Sequence, residues 1–113
     1  MQEITYPDFE KVELRVGQIT SVEEFPEARK PAYKLTIDFG EEIGTKRSSA
    51  QITELYSKED LQYRRIVAVV NFPTKQIGPF MSECLTTGAV NDDGFVRLLG
   101  FDGDDIPLGS KIF

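Results

Sequence analysis

The stretch that decides the fold is Ile66-Val67-Ala68-Val69-Val70-Asn71-Phe72-Pro73-Thr74-Lys75-Gln76-Ile77-Gly78-Pro79-Phe80-Met81-Ser82-Glu83. It opens on five apolar residues, four of them β-branched. Such a run is too short for a helix and fits a fully buried strand. Pro73 ends it, because proline has no N–H to give to a ladder. Lys75, Gly78, Pro79, Phe80 and Met81 then form a loop of mixed polarity, and Ser82-Glu83-Cys84-Leu85 returns to regular structure. A rigid strand that hands its end to such a loop is a common mounting for a binding surface.

Upstream, Ser57-Lys58-Glu59-Asp60-Leu61 starts a short helix over about 58–63, with Ser57 as N-cap and acids in the first turn. Leu35, Ile37 and Phe39 alternate with Lys34, Thr36 and Asp38, the period of a half-buried strand. Gly40-Glu41-Glu42-Ile43-Gly44 turns the chain, and Thr45 to Ala50 pairs back as a third strand. Before these, Phe25 to Pro31 is a loop with two prolines. Leu14, Val16 and Ile19 mark the first strand, with a bend or bulge expected at Gly17. Thr5-Tyr6-Pro7-Asp8 starts a helix over roughly 7–12, its hydroxyl three residues before an acid.

Downstream, Cys84–Ala89 reads as one strand, and Asn91-Asp92-Asp93-Gly94 as a turn. Phe95, Val96, Leu98 and Leu99 make a last strand before an acidic, loop-like tail. The order gives an all-β chain with short helices, a single domain over residues 1–113. A five-stranded Greek-key barrel of the OB type, with its helix between strands three and four, fits that order. A β-sandwich competes, although about six strands are few for one. Tyr6, Phe9, Phe101, Ile106, Ile112 and Phe113 are more apolar side chains than a small barrel needs. Either they pad the barrel's open ends or they bury against a second copy in a two-fold dimer.

Composition narrows the chemistry. The chain has 113 residues and 40% apolar content, which suits one globular domain. No run reaches the ~18–20 apolar residues of a membrane span, so no membrane insertion is expected. Met1-Gln2-Glu3 lacks the basic, apolar start of a signal peptide, and Cys84 stands alone, so a cytoplasmic address is the default. The absence of His removes the commonest general base and neutral metal ligand. Cys84 has no CxxC companion and reads as a small hydrophobe. The paired acids Glu23-Glu24, Glu41-Glu42, Asp92-Asp93 and Asp104-Asp105 sit among turn residues, not among apolar groups that would raise a pKa. No enzyme, cofactor or metal centre is expected.

Net charge is −6, yet the stretch from Arg29 to Lys75 has nine basic residues against six acidic ones. An asymmetric layout permits one basic face on an acidic body.

Several segments together resemble a known family: Phe9 to Ile19, Phe25-Pro26-Glu27-Ala28-Arg29-Lys30, Ile37-Asp38-Phe39-Gly40, and Val70-Asn71-Phe72 with Ser82-Glu83. They look like the tRNA-binding domain appended to methionyl- and phenylalanyl-tRNA synthetases. Over about residues 6 to 113 the pattern is most similar to the CsaA-type secretion chaperones, notably at Glu24 to Arg29, Lys46 to Thr53 and Val69 to Pro73. The resemblance implies an OB-fold homodimer joined through its N-terminal helix and C-terminal strands. It implies binding of unfolded or preprotein segments for export, or alternatively recognition of the tRNA elbow by shape and phosphate contacts. The residues it points to are Lys30, Lys46, Arg47, Asn71, Phe72, Lys75, Phe80 and Ser82. Asn71 and Ser82 would be hydrogen-bond partners, or else Asn71 caps the end of its strand and Ser82 starts the next; Lys30, Lys46, Arg47 and Lys75 would meet phosphates; Phe25, Phe72 and Phe80 would stack on bases or hold apolar side chains. The chain departs from its tRNA-binding relatives where Gln76 and Phe80 replace common basic residues. Fewer phosphate contacts lower RNA affinity, since each neutralised phosphate carries a share of it.

Overall fold

The computed structural model describes all residues from Met1 to Phe113. Its frame is a five-stranded antiparallel sheet coiled into a nearly closed barrel. The strands are β1 (Leu14–Glu24), β2 (Tyr33–Asp38), β3 (Thr45–Ala50), β4 (Arg65–Val69) and β7 (Leu85–Thr86), in the order β3-β2-β1-β4-β7. Two small hairpins complete it: β5 (Lys75–Ile77) with β6 (Phe80–Ser82), and β8 (Gly88–Val90) with β9 (Val96–Leu98).

Residues 66–69 form the buried strand that the composition predicts, while Val70 lies just beyond it and is half-buried. Ile66, Val67, Ala68 and Val69 are all buried in β4, which pairs with β1 from Leu14↔Val69 to Gln18↔Arg65. The alternation in β2 is equally faithful, with Tyr33, Leu35 and Ile37 inward. The main core gathers Ile66 and Ala68 of β4 and the three inward residues of β2 with Ile19, Phe39, Ile52, Tyr56 and Leu61.

Closure of the barrel is mostly the work of Glu83. Its N–H donates to the Arg47 carbonyl at 2.8 Å. Its carboxylate Oε1 accepts the Arg47 N–H at 3.0 Å. The Thr86 hydroxyl donates to Ser48 Oγ at 3.0 Å, so the one buried polar side chain has a partner. An edge strand thus finds its partners partly in a side chain, where a plain ladder is too short to close the cylinder.

Both helices carry reciprocal capping boxes, which satisfy free N–H groups of their first turns. Thr5 and Asp8 cap α1 (Tyr6–Glu10), and Ser57 and Asp60 cap α2 (Lys58–Leu61). Each helix is shorter than expected. None of α1's residues is buried, so packing does not extend it. Gln62, the C-cap of α2, is already extended at ψ 124°, and Tyr63 follows at φ 64° with its N–H donating to the Ile19 carbonyl at 2.8 Å.

Four other features differ from the sequence expectation. The bulge in β1 lies between Ile19 and Ser21, not at Gly17. Gly17 is there for close approach: a Cβ would stand 2.5 Å from Ile37 Cγ2 and 2.7 Å from the Phe39 ring. The loop after Pro73 contains a hairpin, turned by Gly78-Pro79 with Gly78 at φ 57°, the sign a type II′ turn needs at its first central residue. The stretch 84–89 breaks into β7 and β8 at Thr87, whose N–H and hydroxyl both donate to the Val67 carbonyl. The tail is an added strand-like edge on β1. There Gly109 N–H donates to Val16 O, Val16 N–H to Ser110 O, and Ile112 N–H to Leu14 O, at 2.8–3.0 Å.

Candidate ligand-binding surface

The β5–β6 hairpin folds over the loop between β1 and β2. Phe80 and Phe25 pack at 5.4 Å between ring centroids and form one buried cluster with Ala32, with Ala28 and Ile77 alongside. This satellite cluster stands apart from the main core. Cations sit over both rings: Lys34 Nζ lies 5.4 Å from the Phe25 centroid, and the Arg47 guanidinium 4.7 Å from that of Phe80.

Phe80 and Phe25 are therefore not the free stacking platforms expected of them. They are only 3% and 4% exposed, and what they hold is the hairpin. Their neighbour Phe72 is different. It stands 55% exposed on the loop after β4 and lines a cavity of about 280 Å³ with Pro73, Lys75, Ser82, Cys84 and Leu85. Leu85 is half exposed as well. On the other side of Lys75 runs a wider groove of about 640 Å³, walled by Arg29, Lys30, Gln51 and Gln76 among others. Lys75 lines both spaces and stands on the ridge between them.

The remaining expected residues divide by what already holds them. Asn71 does not offer its carboxamide to a ligand. Its Oδ1 accepts the Glu13 N–H at 3.1 Å and its Nδ2 donates to the Lys11 carbonyl at 2.8 Å. Ser82 faces Lys75 across the hairpin and makes only a long bond, 3.4 Å, to the Cys84 carbonyl. Arg47 is shared between the Phe80 ring and Glu23, 3.5 Å away. Lys46 lines neither cavity; it stands on the inward register of β3 opposite Ile37 and beside Cys84. Burial pushes the Cys84 thiol up to about 12, against the pull of Lys46, so it stays protonated and unreactive at neutral pH. Lys30, Lys46 and Lys75 have no carboxylate within 4.0 Å.

Sequence reasoning passed over Leu85 and Pro73. A signal for Leu85 was present: adjacent apolar residues at a strand start point to opposite faces, so a buried Cys84 sends Leu85 outward. No group of three or more potential metal-ligating side chains occurs. No helix is long and apolar enough to cross a membrane.

Residues 14–111 match the family model described as "Putative tRNA binding domain". The chain belongs to the tRNA-binding-domain family. Two solved structures of CsaA chaperones are similar to this tRNA-binding-domain protein over almost its whole length. That from Picrophilus torridus is 55% identical with a TM-score of 0.90, covering 98% of this chain and 100% of the other. That from Bacillus anthracis is 49% identical with a TM-score of 0.91, covering 99% and 100%. Methionine–tRNA ligase of Methanocaldococcus jannaschii is 32% identical over 112 residues, 99% of this chain. The tRNA-binding domain spans only 17% of that ligase's length.

Proposed function

We propose that this protein is a CsaA-like molecular chaperone that holds unfolded or preprotein segments, bound for export, at the pocket beside Lys75. It acts by binding and not by catalysis. The observation that carries this reading is the pairing of Phe72 and Leu85, each about half exposed, around a cavity with one cation. A folded domain gains nothing by leaving two large apolar side chains open together, whereas a holder of varied segments needs such a patch rimmed by charge. Likeness to two CsaA chaperones over nearly all of the chain supports it. Exposed Tyr6, Phe101 and Phe113 support a homodimer that buries the terminal segments. A cytoplasmic location accords with the single, protonated thiol.

A second reading is tRNA binding, favoured by the wider groove. Arg29, Lys30 and Lys75 line it without ion pairs, and Gln51 and Gln76 add hydrogen-bonding groups. Phosphate contacts from these cations would grip the tRNA elbow, with Phe72 left for stacking and Ser82 for a hydrogen bond.

Two titrations of one preparation separate the readings. Fluorescence anisotropy with reduced, carboxymethylated lactalbumin measures the grip on an unfolded chain. A gel shift with unfractionated tRNA, at low and physiological salt, measures the other. The chaperone reading expects the unfolded chain to bind at both salt levels and the tRNA shift to fade at the higher one. Tight tRNA binding at physiological salt without any grip on lactalbumin would reverse the order of the two.

A further inference from the structure

We propose that Asn71 is a positioning residue, through which occupancy of the Phe72 pocket is coupled to closure of the two terminal segments on β1. This rests on reading that pocket as the client site. Asn71 comes directly after the buried strand and directly before the pocket wall. Phe72, Pro73 and Thr74 make no backbone hydrogen bonds of their own, so Asn71 is the last fixed point before Lys75. What fixes it lies far away in sequence: the Glu13 N–H at 3.1 Å and the Lys11 carbonyl at 2.8 Å, where α1 passes into β1. The Val70 N–H adds a third bond, to the Glu13 carbonyl at 3.0 Å.

Glu13 in turn is the hub of the terminal clasp. Its Oε1 accepts from Arg15 at 2.7 and 3.0 Å, and its Oε2 from Lys111 Nζ at 2.9 Å. Lys111 Nζ also donates to the Glu10 carbonyl at 3.1 Å, and Arg15 to the Gly109 carbonyl at 2.9 Å. A run of hydrogen bonds therefore leads from Asn71, next in chain to the pocket wall, to the end of α1 and to the tail. A carboxamide suits its head because one rigid group supplies both the acceptor and the donor; neither Asp nor Leu can. A ligand that holds Phe72 in place must then stabilise the clasp, and by reciprocity a closed clasp must favour the ligand.

The test uses the full chain and a short, unstructured, fluorescein-labelled peptide rich in Phe and Leu. Saturating peptide is expected to slow hydrogen exchange at the Glu13, Leu14 and Ile112 amides in the wild type, and to leave them unchanged in Asn71→Ala. Asn71→Ala should weaken peptide binding about fivefold, the scale of one to two lost hydrogen bonds. Lys111→Ala, which touches nothing in the pocket, should weaken it about twofold, and the double variant no further than Asn71→Ala alone. Additive losses, or wild-type exchange indifferent to peptide, overturn the coupling; the exchange and Lys111→Ala arms hold even if Asn71→Ala does not fold. Phe72→Ala separates the two levels. If it binds peptide as the wild type does, the pocket reading itself fails. If it binds weakly while Asn71→Ala binds normally, only the coupling fails.

Discussion

Two regions of this barrel are rich in cations, and they treat them in opposite ways. At the terminal clasp, Arg15 and Lys111 both close on Glu13 at 2.7 and 2.9 Å. Around the β5–β6 hairpin, Lys30 and Lys75 stand without any acidic partner, although the chain has 19 acidic residues against 13 basic ones. In a protein with acid to spare, a cation left alone in a groove keeps its field available to a ligand of opposite charge. The clasp's charges serve the fold; on the proposed function, the hairpin's would serve a ligand. A basic count along the sequence cannot tell these uses apart; the pairing can.

The same division separates two phenylalanines eight positions apart, and here the largest effect is expected. Phe80→Ala removes a ring that is 3% exposed and packed at a tilt against Phe25, and should cost about 3–5 kcal/mol of unfolding free energy. Phe72→Ala removes one that is 55% exposed and should stay within about 0.5 kcal/mol of the wild type. Urea unfolding monitored by circular dichroism measures both. Similar losses for the two would mean that Phe72 packs against the fold, and the comparison would break.

Lys75→Glu gives a smaller effect that sharpens the contrast within the hairpin. Lys75 lines both the apolar pocket and the wider groove. Reversing its charge should lower tRNA affinity roughly tenfold at low salt, and reduce the salt slope by about 0.7, the share of one phosphate on a single strand. Peptide binding, which depends on apolar contact with Phe72 and Leu85, should change by no more than about twofold. Equal losses in the gel shift and the anisotropy assay would show that the charge matters alike to both ligands.

How much of this was legible beforehand follows the kind of signal each part leaves. Strands β2 and β4 could be read because burial on one or both faces writes itself into the residues with a period of two or a solid run, whereas β3 was legible only from the Gly40–Gly44 turn before it. The capping boxes at Thr5 and Ser57 were legible for a similar reason, since three-residue spacing of hydroxyl and acid is the motif. The β5–β6 hairpin was missed although Gly78-Pro79 between Ile77 and Phe80 is a turn signal; its strands are three residues each, too short for alternation to show. The site was legible as a neighbourhood and not as a set of roles. Asn71, Phe72 and Phe80 all lie in the segment the sequence singles out, but only the fold reveals that Asn71 is engaged with Lys11 and Glu13, Phe80 is covered by Arg47, and Phe72 is open. Glu83 as the peg that closes the barrel leaves no periodic trace at all, because its partner is a backbone group of Arg47.

The smallest expected effect concerns pH at the clasp. Lys111, and after it Arg15, hold the Glu13 carboxyl below the ordinary carboxylate range by hydrogen bonding to its charged form. The unfolded chain therefore takes up a proton at Glu13 at a higher pH than the folded chain does. The stability it contributes is present in full above the unfolded value, near 4.5, and drains away as pH falls through the lower folded value. Glu13→Gln has no such proton to gain, so its urea midpoint should decline less steeply than that of the wild type as pH falls below about 4.5, while lying slightly lower at pH 7. The hairpin cations offer the control. Lys75→Gln removes a charge that no carboxylate answers, and its pH profile should run parallel to the wild type's. A parallel profile for Glu13→Gln as well would mean that the clasp's ion pairs add nothing to the fold, and that its cations are as free as those around Lys75.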